Sequence, residues 1–406
     1  MHGEVSLQGA KNAILPILAA ALVSRKPVHL SNCPSIGDVD CMLDILRSIG
    51  SDVTQEGQHI HIDSKAAGCF DIPDDSVKQV RSSIVFLGAV LARFGRAVIT
   101  YPGGCEIGLR PIDLHLKALR RMGVEIDEEL GRLHCLCRDL KGALIHLDYP
   151  SVGATENIML TALAAKGCTI IHNAAREPEI KDLADAINGM GGSVRGAGGP
   201  TILIDGGANW REMEHRIIPD RIAAGTFISC VASAGGDVTM RNVCPAHLDA
   251  VLSKLEETGC EIESTADTIT VRRQKKLKAV ERVCTMPYPG FPTDMQAQFS
   301  AILAQAEGTS IVTENIFENR FKHVPQLRKM GAHITVEGRT AIIQGNPLRG
   351  SRVEASDLRG GAALCVAGLG ATGTTTVERI EYIRRGYEDL AGTLQNIGAA
   401  IVERDT

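Results

Sequence analysis

Aromatic residues make up only 3% of this 406-residue chain: eight Phe, five Tyr and a single Trp. So few rings leave no platform on which bases could stack, and a formal net charge of −5 offers no basic footprint for a polyanion. Long apolar runs are also missing. The most apolar early stretch, residues 13–23, is too short to span a bilayer and contains Pro16. The opening Met-His-Gly-Glu-Val lacks the charged and apolar regions of a signal peptide, so the expectation is a cytoplasmic protein with neither nucleic acid nor membrane as partner. The sequence has no P-loop, no GxGxxG after a strand and no HExxH, which removes the motifs for nucleotide hydrolysis, Rossmann cofactors and zinc proteolysis. His134-Cys-Leu-Cys137 looks like half a metal site, but no second ligand pair follows at zinc-finger spacing, and alternating strand residues explain it better. The twelve cysteines read as reduced thiols, mostly small core residues; no metal and no cofactor is expected.

What is present is repetition. An apolar helix end, a glycine and a short alternating strand recur six times, around Gly50, Gly123, Gly191, Gly259, Gly331 and Gly398, at intervals of 67 to 73 residues. Each glycine fits the position just past a helix end, where a positive φ is wanted. Ahead of each lies an alanine- or leucine-rich helix (12–24, 83–94, 156–166, 225–234, 296–307, 361–371) leading into a β-rich segment (27–30, 97–101, 169–172, 237–241, 309–314, 374–379). The expected fold is α/β, built of α+β repeats: two similar domains of three βαβαββ-like units each, with a cleft between them. The segments 3–11 and 214–222 both read as a short strand running into a helix. If both cross between the bodies, one domain is 11–218 and the other is 1–10 with 219–406, and a double-stranded hinge beside a cleft suits a ligand.

Several constellations could carry chemistry. Tyr101-Pro-Gly-Gly-Cys105-Glu-Ile-Gly-Leu-Arg110-Pro111-Ile112-Asp113-Leu114-His115 places a cysteine on a glycine-flanked loop ahead of a helix opened by Pro111, with Ile112, Leu116 and Leu119 on one face. Cys105 is either a buried hydrophobe or a thiol that Arg110 would hold as thiolate. In Pro287-Tyr-Pro-Gly-Phe-Pro-Thr-Asp294, three prolines make a rigid approach; Thr293 or Asp294 is either a plain helix cap or, for Asp294, a general base. Arg320 reads as a structural partner rather than a ligand. Lys11 and Asn12 open the first repeat's helix, and Arg81, Arg221, Arg359 and Arg385 stand where other helices begin, which suggests a polyanionic substrate at helix N-termini.

Taken together, Gly-Ala-Lys-Asn-Ala (9–13), the Cys105 motif (102–115), Ser151-Val152-Gly153-Ala-Thr, Ala-Ala-Arg-Glu-Pro-Glu-Ile (174–180), Pro-Asp-Arg-Ile (219–222), Phe-Pro-Thr-Asp-Met-Gln-Ala-Gln (291–298), Phe-Glu-Asn-Arg (317–320) and Arg-Gly-Tyr-Glu (385–388) form one pattern. The chain resembles the enolpyruvyl transferases over its whole length, and within them those acting on UDP-N-acetylglucosamine at the start of peptidoglycan synthesis. The resemblance implies transfer of the enolpyruvyl group of phosphoenolpyruvate to the sugar 3′-hydroxyl with release of phosphate, by addition and elimination through a tetrahedral ketal. It implies that Cys105 delivers the proton to the methylene carbon, that Asp294 takes the hydroxyl proton, and that Lys11, Arg110 and Arg385 hold phosphoenolpyruvate. It further implies that Asn12 and Ile316 contact the sugar, and that Arg81, Arg110, Pro111, Ile112, Asp113, Leu114, Ser151, Val152 and Gly153 bind the uridine diphosphate portion, with Arg320 and Arg359 also in the site.

Three positions depart from the family pattern. The strand expected ahead of Gly3 is absent, which would loosen the second domain's sheet; Tyr149 replaces a diphosphate-binding lysine; and Tyr382-Ile-Arg384 replaces histidine and aspartate before Arg385. Two other readings share these features: the sister enzyme acting on shikimate 3-phosphate, which lacks the cysteine loop, and a catalytically silent paralogue that binds a nucleotide sugar.

Overall fold

The computed structural model describes residues 1–74, 77, 80–101 and 112–404. The described residues form two compact units, one of 1–8 with 219–404, the other of those between 9 and 101 and between 112 and 218. In each, three helices that are apolar nearly all round form the centre, as such helices must. Lys11–Val23, Val85–Phe94 and Val152–Ala162 fill one unit. Arg221–Ala234, Gln296–Leu303 and Leu358–Gly370 fill the other. Their contact is close: a Cβ on Gly88 would lie 2.5 Å from the Asn157 carbonyl oxygen, so only glycine lets those two helices meet.

Around each trio lie the sheets. Leu144–His146 pairs parallel with Cys168–His172, which continues antiparallel to Thr201–Asp205 and then Ser193–Arg195. Arg282–Cys284, Thr309–Thr313, Thr340–Gln344 and His333–Glu337 repeat the pattern in the other unit. A parallel pair with a helix between its strands, then a hairpin, is therefore the unit of construction. Two sheets obtain their first strand from afar. Met213–Arg216 pairs with Val28–Ser31, and His2–Ser6 pairs with Gly236–Arg241 over five residues, held also by a bidentate Arg241–Glu4 pair. His2–Ser6 thus supplies the edge strand of the first sheet of the second unit.

All six repeat glycines have positive φ, between 85° and 101°. Asparagines at the ends of three second strands share the left-handed conformation: Asn32, Asn173 and Asn242 have φ of 58°, 55° and 52°. Each donates its side-chain amide to the carbonyl at the end of the neighbouring first strand, of Ile217, Leu147 and Leu7 respectively. These clamps tie three of the parallel pairs at one end.

The sixth repeat departs from expectation. Among the described residues its sheet has two strands, Arg352–Glu354 and Thr376–Glu378, and the residues after Gly398 pair with no strand. Instead Gln395 donates to the Ile401 carbonyl and Arg384 pairs with Glu403. Arg132–Leu136 is a strand with Cys135 and Cys137 buried and His134 exposed, as alternation requires. Among the eleven described cysteines, all reduced, Cys69 and Cys168 are exposed.

Candidate functional site

In the Gly9–Ile218 unit, Lys11 is the first residue of its helix and is buried, with Nζ 2.8 Å from the buried Asp38 carboxylate. Asn12 beside it is half-buried. A second group forms around His115. Arg81 starts a short 3-10 helix, and Ser151 caps the helix Val152–Ala162 by accepting from the Ala154 N–H. Gly153 backs onto the imidazole: a Cβ there would lie 3.1 Å from the ring. Asn157 donates to His115 Nδ1 at 2.9 Å and holds the ring in place. Burial, and then the charge of Arg81, lower the His115 pKa to about 4, so the ring is neutral. Arg81, Ile112 to Leu114 and Ser151 to Gly153 are far apart in sequence, yet the neighbours of His115 draw on all three stretches.

The apolar face Ile112, Leu116 and Leu119 is buried as expected, and the described helix runs from Asp113 with Ile112 as its cap. Cys105, Arg110 and Pro111 lie outside the described residues. Tyr149 is 41% exposed.

In the other unit the focus is Asp294, on a single 3-10 turn, Thr293–Met295. Capping is not what this stretch does. Neither that turn nor the following helix has a side-chain cap hydrogen bond, and Thr293 instead donates to Glu314, which also accepts from Thr285 and from the N–H groups of Ile316 and Phe317. The Asp294 carboxylate takes two guanidinium groups. Arg320 Nη2 donates to Oδ1 at 2.8 Å; Arg359 Nε and Nη2 donate to Oδ2 at 3.3 and 3.2 Å. Both arginines are buried, while the Asp294 side chain keeps 25% exposure. Arg359 stands at the start of its helix, where Asp357 caps the N–H groups of Arg359 and Gly360.

Behind Arg359 runs a chain of hydrogen bonds that the sequence reading did not single out. Arg359 Nη1 donates to the Tyr387 hydroxyl, which lies 2.8 Å from the Thr226 hydroxyl. Thr226 gives its own proton to the Ile222 carbonyl and accepts from Gln298, so the Tyr387 proton points to Thr226. Burial raises the Tyr387 pKa, which keeps that phenol protonated. Tyr387 lies in the Arg-Gly-Tyr-Glu motif and Gln298 in the Asp294 motif; the available signal was that both motifs contain more polar residues than a ligand contact needs.

Lys11, Arg81, Arg221 and Arg359 do stand at helix starts. Arg385 does not. It follows the short helix Glu381–Arg384 as its C-cap, where a cation meets the negative end of the dipole. Arg384 turns outward to Glu403, and Tyr382 accepts from Arg379.

The two α/β units, with their three-fold packed helices, define the fold class of the enolpyruvyl transferases. The sequence matches the EPSP synthase (3-phosphoshikimate 1-carboxyvinyltransferase) family over residues 1–394. Curated relatives include UDP-N-acetylglucosamine 1-carboxyvinyltransferase 2 of Caldanaerobacter subterraneus, 51% identical over 99% of this chain and 97% of that protein, and UDP-N-acetylglucosamine 1-carboxyvinyltransferase 1 of Staphylococcus aureus, 46% identical over 99% and 96%. Among solved structures, the enolpyruvyl transferase NikO of Streptomyces tendae has a TM-score of 0.90 at 25% identity, covering 99% of this chain and 96% of that one. An EPSP synthase of Acinetobacter baumannii has a TM-score of 0.76 at 20% identity, covering 98% and 96%, a likeness of fold. The chain belongs to the enolpyruvyl transferase family and is an enzyme.

Proposed function

We propose that this enzyme transfers the enolpyruvyl group of phosphoenolpyruvate to the 3′-hydroxyl of UDP-N-acetylglucosamine, releasing phosphate, in the cytoplasmic supply of peptidoglycan precursors. The observation that carries this reading is full-length identity of 46–51% to relatives bearing that activity in their names, against 20% to an EPSP synthase structure.

In the proposed reaction Asp294 accepts the proton of the sugar hydroxyl as its oxygen bonds to C2 of phosphoenolpyruvate, and Cys105 supplies the proton that C3 gains. The ketal then collapses: the C2–O bond to phosphate breaks, C3 returns a proton to the Cys105 thiolate and phosphate leaves. Fixed cations neutralise the charge that moves through this sequence, with Lys11, Arg110 and Arg385 on phosphoenolpyruvate. Asn12 and Ile316 face the sugar; Arg81, Arg110 to Leu114 and Ser151 to Gly153 hold the diphosphate. Arg320 and Arg359 aim the Asp294 carboxylate and hold it as an acceptor. The neutral His115 lends the diphosphate stretch shape without adding charge.

The test is to follow phosphate release from phosphoenolpyruvate with each acceptor. Release with UDP-N-acetylglucosamine alone is expected. Release only with shikimate 3-phosphate, or with neither, would overturn the reading.

A further inference from the structure

On the sheet of the first repeat, two histidines that have no part in the reaction above face each other. His29, on Val28–Ser31, and His61, on His59–Asp63, are register partners in an antiparallel pair. Their Nδ1 atoms are 3.2 Å apart while their ring centroids are 4.5 Å apart, tilted by 35°. The nitrogens are nearer than the centres, so the two Nδ1 edges converge. Beyond, His29 Nε2 lies 3.1 Å from Glu212 Oε1.

Hydrogen-bond accounting fixes the tautomers. A carboxylate only accepts, so His29 Nε2 carries the proton and His29 Nδ1 is a bare acceptor, with His61 Nδ1–H donating to it. One ring therefore already presents a lone pair at the midpoint, and the other needs only to move its proton from Nδ1 to Nε2.

We propose that His29 and His61 bind a borderline first-row divalent cation (Zn²⁺, Ni²⁺, Cu²⁺ or Co²⁺) through their Nδ1 atoms. With metal–nitrogen bonds of ~2.05 Å, a 3.2 Å separation corresponds to an N–M–N angle of about 100°, near that of a tetrahedral site. Glu212 acts behind His29, where a carboxylate on the distal N–H orients a ligating imidazole and raises its basicity. Imidazole selects these ions over Mg²⁺ and Ca²⁺, which need oxygen ligands. Among the described residues no third histidine, cysteine or carboxylate completes a cluster, so water fills the remaining positions. Binding changes the His61 tautomer, moving its proton from Nδ1 to Nε2. The cation ties strand 28–31 to strand 59–63 and stabilises the fold that presents it.

The experiment is calorimetric titration of the intact chain with NiCl₂ in excess Mg²⁺, in a Cys69→Ser/Cys168→Ser background that removes the exposed described thiols. Compared with that background, the His29→Ala/His61→Ala double variant is expected to bind one fewer Ni²⁺ per chain. Each single variant should weaken that site at least 10-fold, and Glu212→Gln about 10-fold, the usual effect of losing an outer-shell carboxylate. Ni²⁺ should raise the melting temperature of the background and not of the double variant. Unchanged stoichiometry and affinity in the double variant would overturn the proposal, and an unchanged Glu212→Gln would remove Glu212 from it.

Discussion

The hydroxyl of Tyr387 accepts a hydrogen bond from Arg359 Nη1 at 3.1 Å, while two other nitrogens of the same guanidinium reach Asp294. One buried cation is thereby shared between a phenol fixed in the core and a carboxylate that keeps some contact with solvent. Thr226 and Gln298 complete the line, so the position of the Asp294 carboxylate is set from the centre of its unit.

Tyr387→Phe removes that acceptor and leaves a buried guanidinium N–H unpaired, at a cost of about 1–3 kcal/mol in stability. The carboxylate loses its second guide, so kcat should fall about 10-fold with little change in KM, since orientation acts in the transition state. Steady-state kinetics beside urea unfolding separate the two effects. A fall in KM affinity alone would contradict the positioning role.

Asp294→Asn keeps the shape and loses the base. Turnover should drop by roughly 10²–10⁴-fold, the range for a general base. Asp294→Ala should add instability, because Arg320 and Arg359 are then buried without their shared anion. Thermal unfolding of both variants checks the second point, and phosphate release the first.

Cys105→Ala should abolish turnover near neutral pH while leaving the far-ultraviolet circular dichroism and melting temperature unchanged. Normal activity in this variant would sink the role proposed for the thiol.

His115 and His323 are both buried, and burial lowers each pKa to about 4. The unfolded chain takes up protons on these rings below ~6.5, and the folded chain does so only below about 4. Each ring therefore makes the protein less stable as pH falls through that window, by up to about 3 kcal/mol, with no further loss below it. Glu156 acts oppositely. Burial and the charges of Glu179 and Glu177 raise its pKa, so its contribution weakens as pH rises above ~4.5. The clean measurement is the difference in unfolding free energy between wild type and His115→Gln from pH 7 to pH 4: the variant should start lower and show the flatter curve.

Gly331 has φ of 92° and no atom within 4 Å of an added Cβ, so Gly331→Ala should cost only the backbone strain, about 1–2 kcal/mol. Gly191, with φ of 98°, would drive its Cβ to 2.0 Å from the Asn209 carbonyl oxygen, and Gly191→Ala should cost clearly more. Equal losses from the two would show that space, not conformation alone, had been misjudged.

Repetition made most of the fold legible. The glycines after each second helix reported a backbone requirement directly, and all six adopt it. The six β-rich segments match strands beginning at Val28, Arg96, Cys168, Gly236, Thr309 and Thr376. Boundaries were harder. The helix expected from 156 begins at Val152, because Ser151 caps it and the polar Thr155, Glu156 and Asn157 are buried inside it. The missing last strand of the sixth repeat was not readable, since Ala399–Ile401 alternates like its counterparts and lacks only a partner. The site was legible as motifs but not as pairings: Asp294 on a turn looked like a cap, and nothing local announces that residues 26 and 65 positions away supply its partners. The asparagine clamps escaped notice although Asn32, Asn173 and Asn242 recur in register.

The strand His2–Ser6 pairs with residues some 235 positions later, Gly3 opposite Val238. During synthesis, at about 5–20 residues per second, that partner emerges roughly 10–50 s after the strand itself. The unit from Gly9 to Ile218 has by then received its closing strand, Met213–Arg216, and the backbone bond from Ala10 to Ile218 that seals it. Val5 and Leu7, core residues in the finished molecule, wait on the nascent chain with nothing to cover them. This early-made strand is among the last used, and a ribosome stalled near residue 218 would carry one closed unit beside an uncovered apolar strand, a natural client for a chaperone.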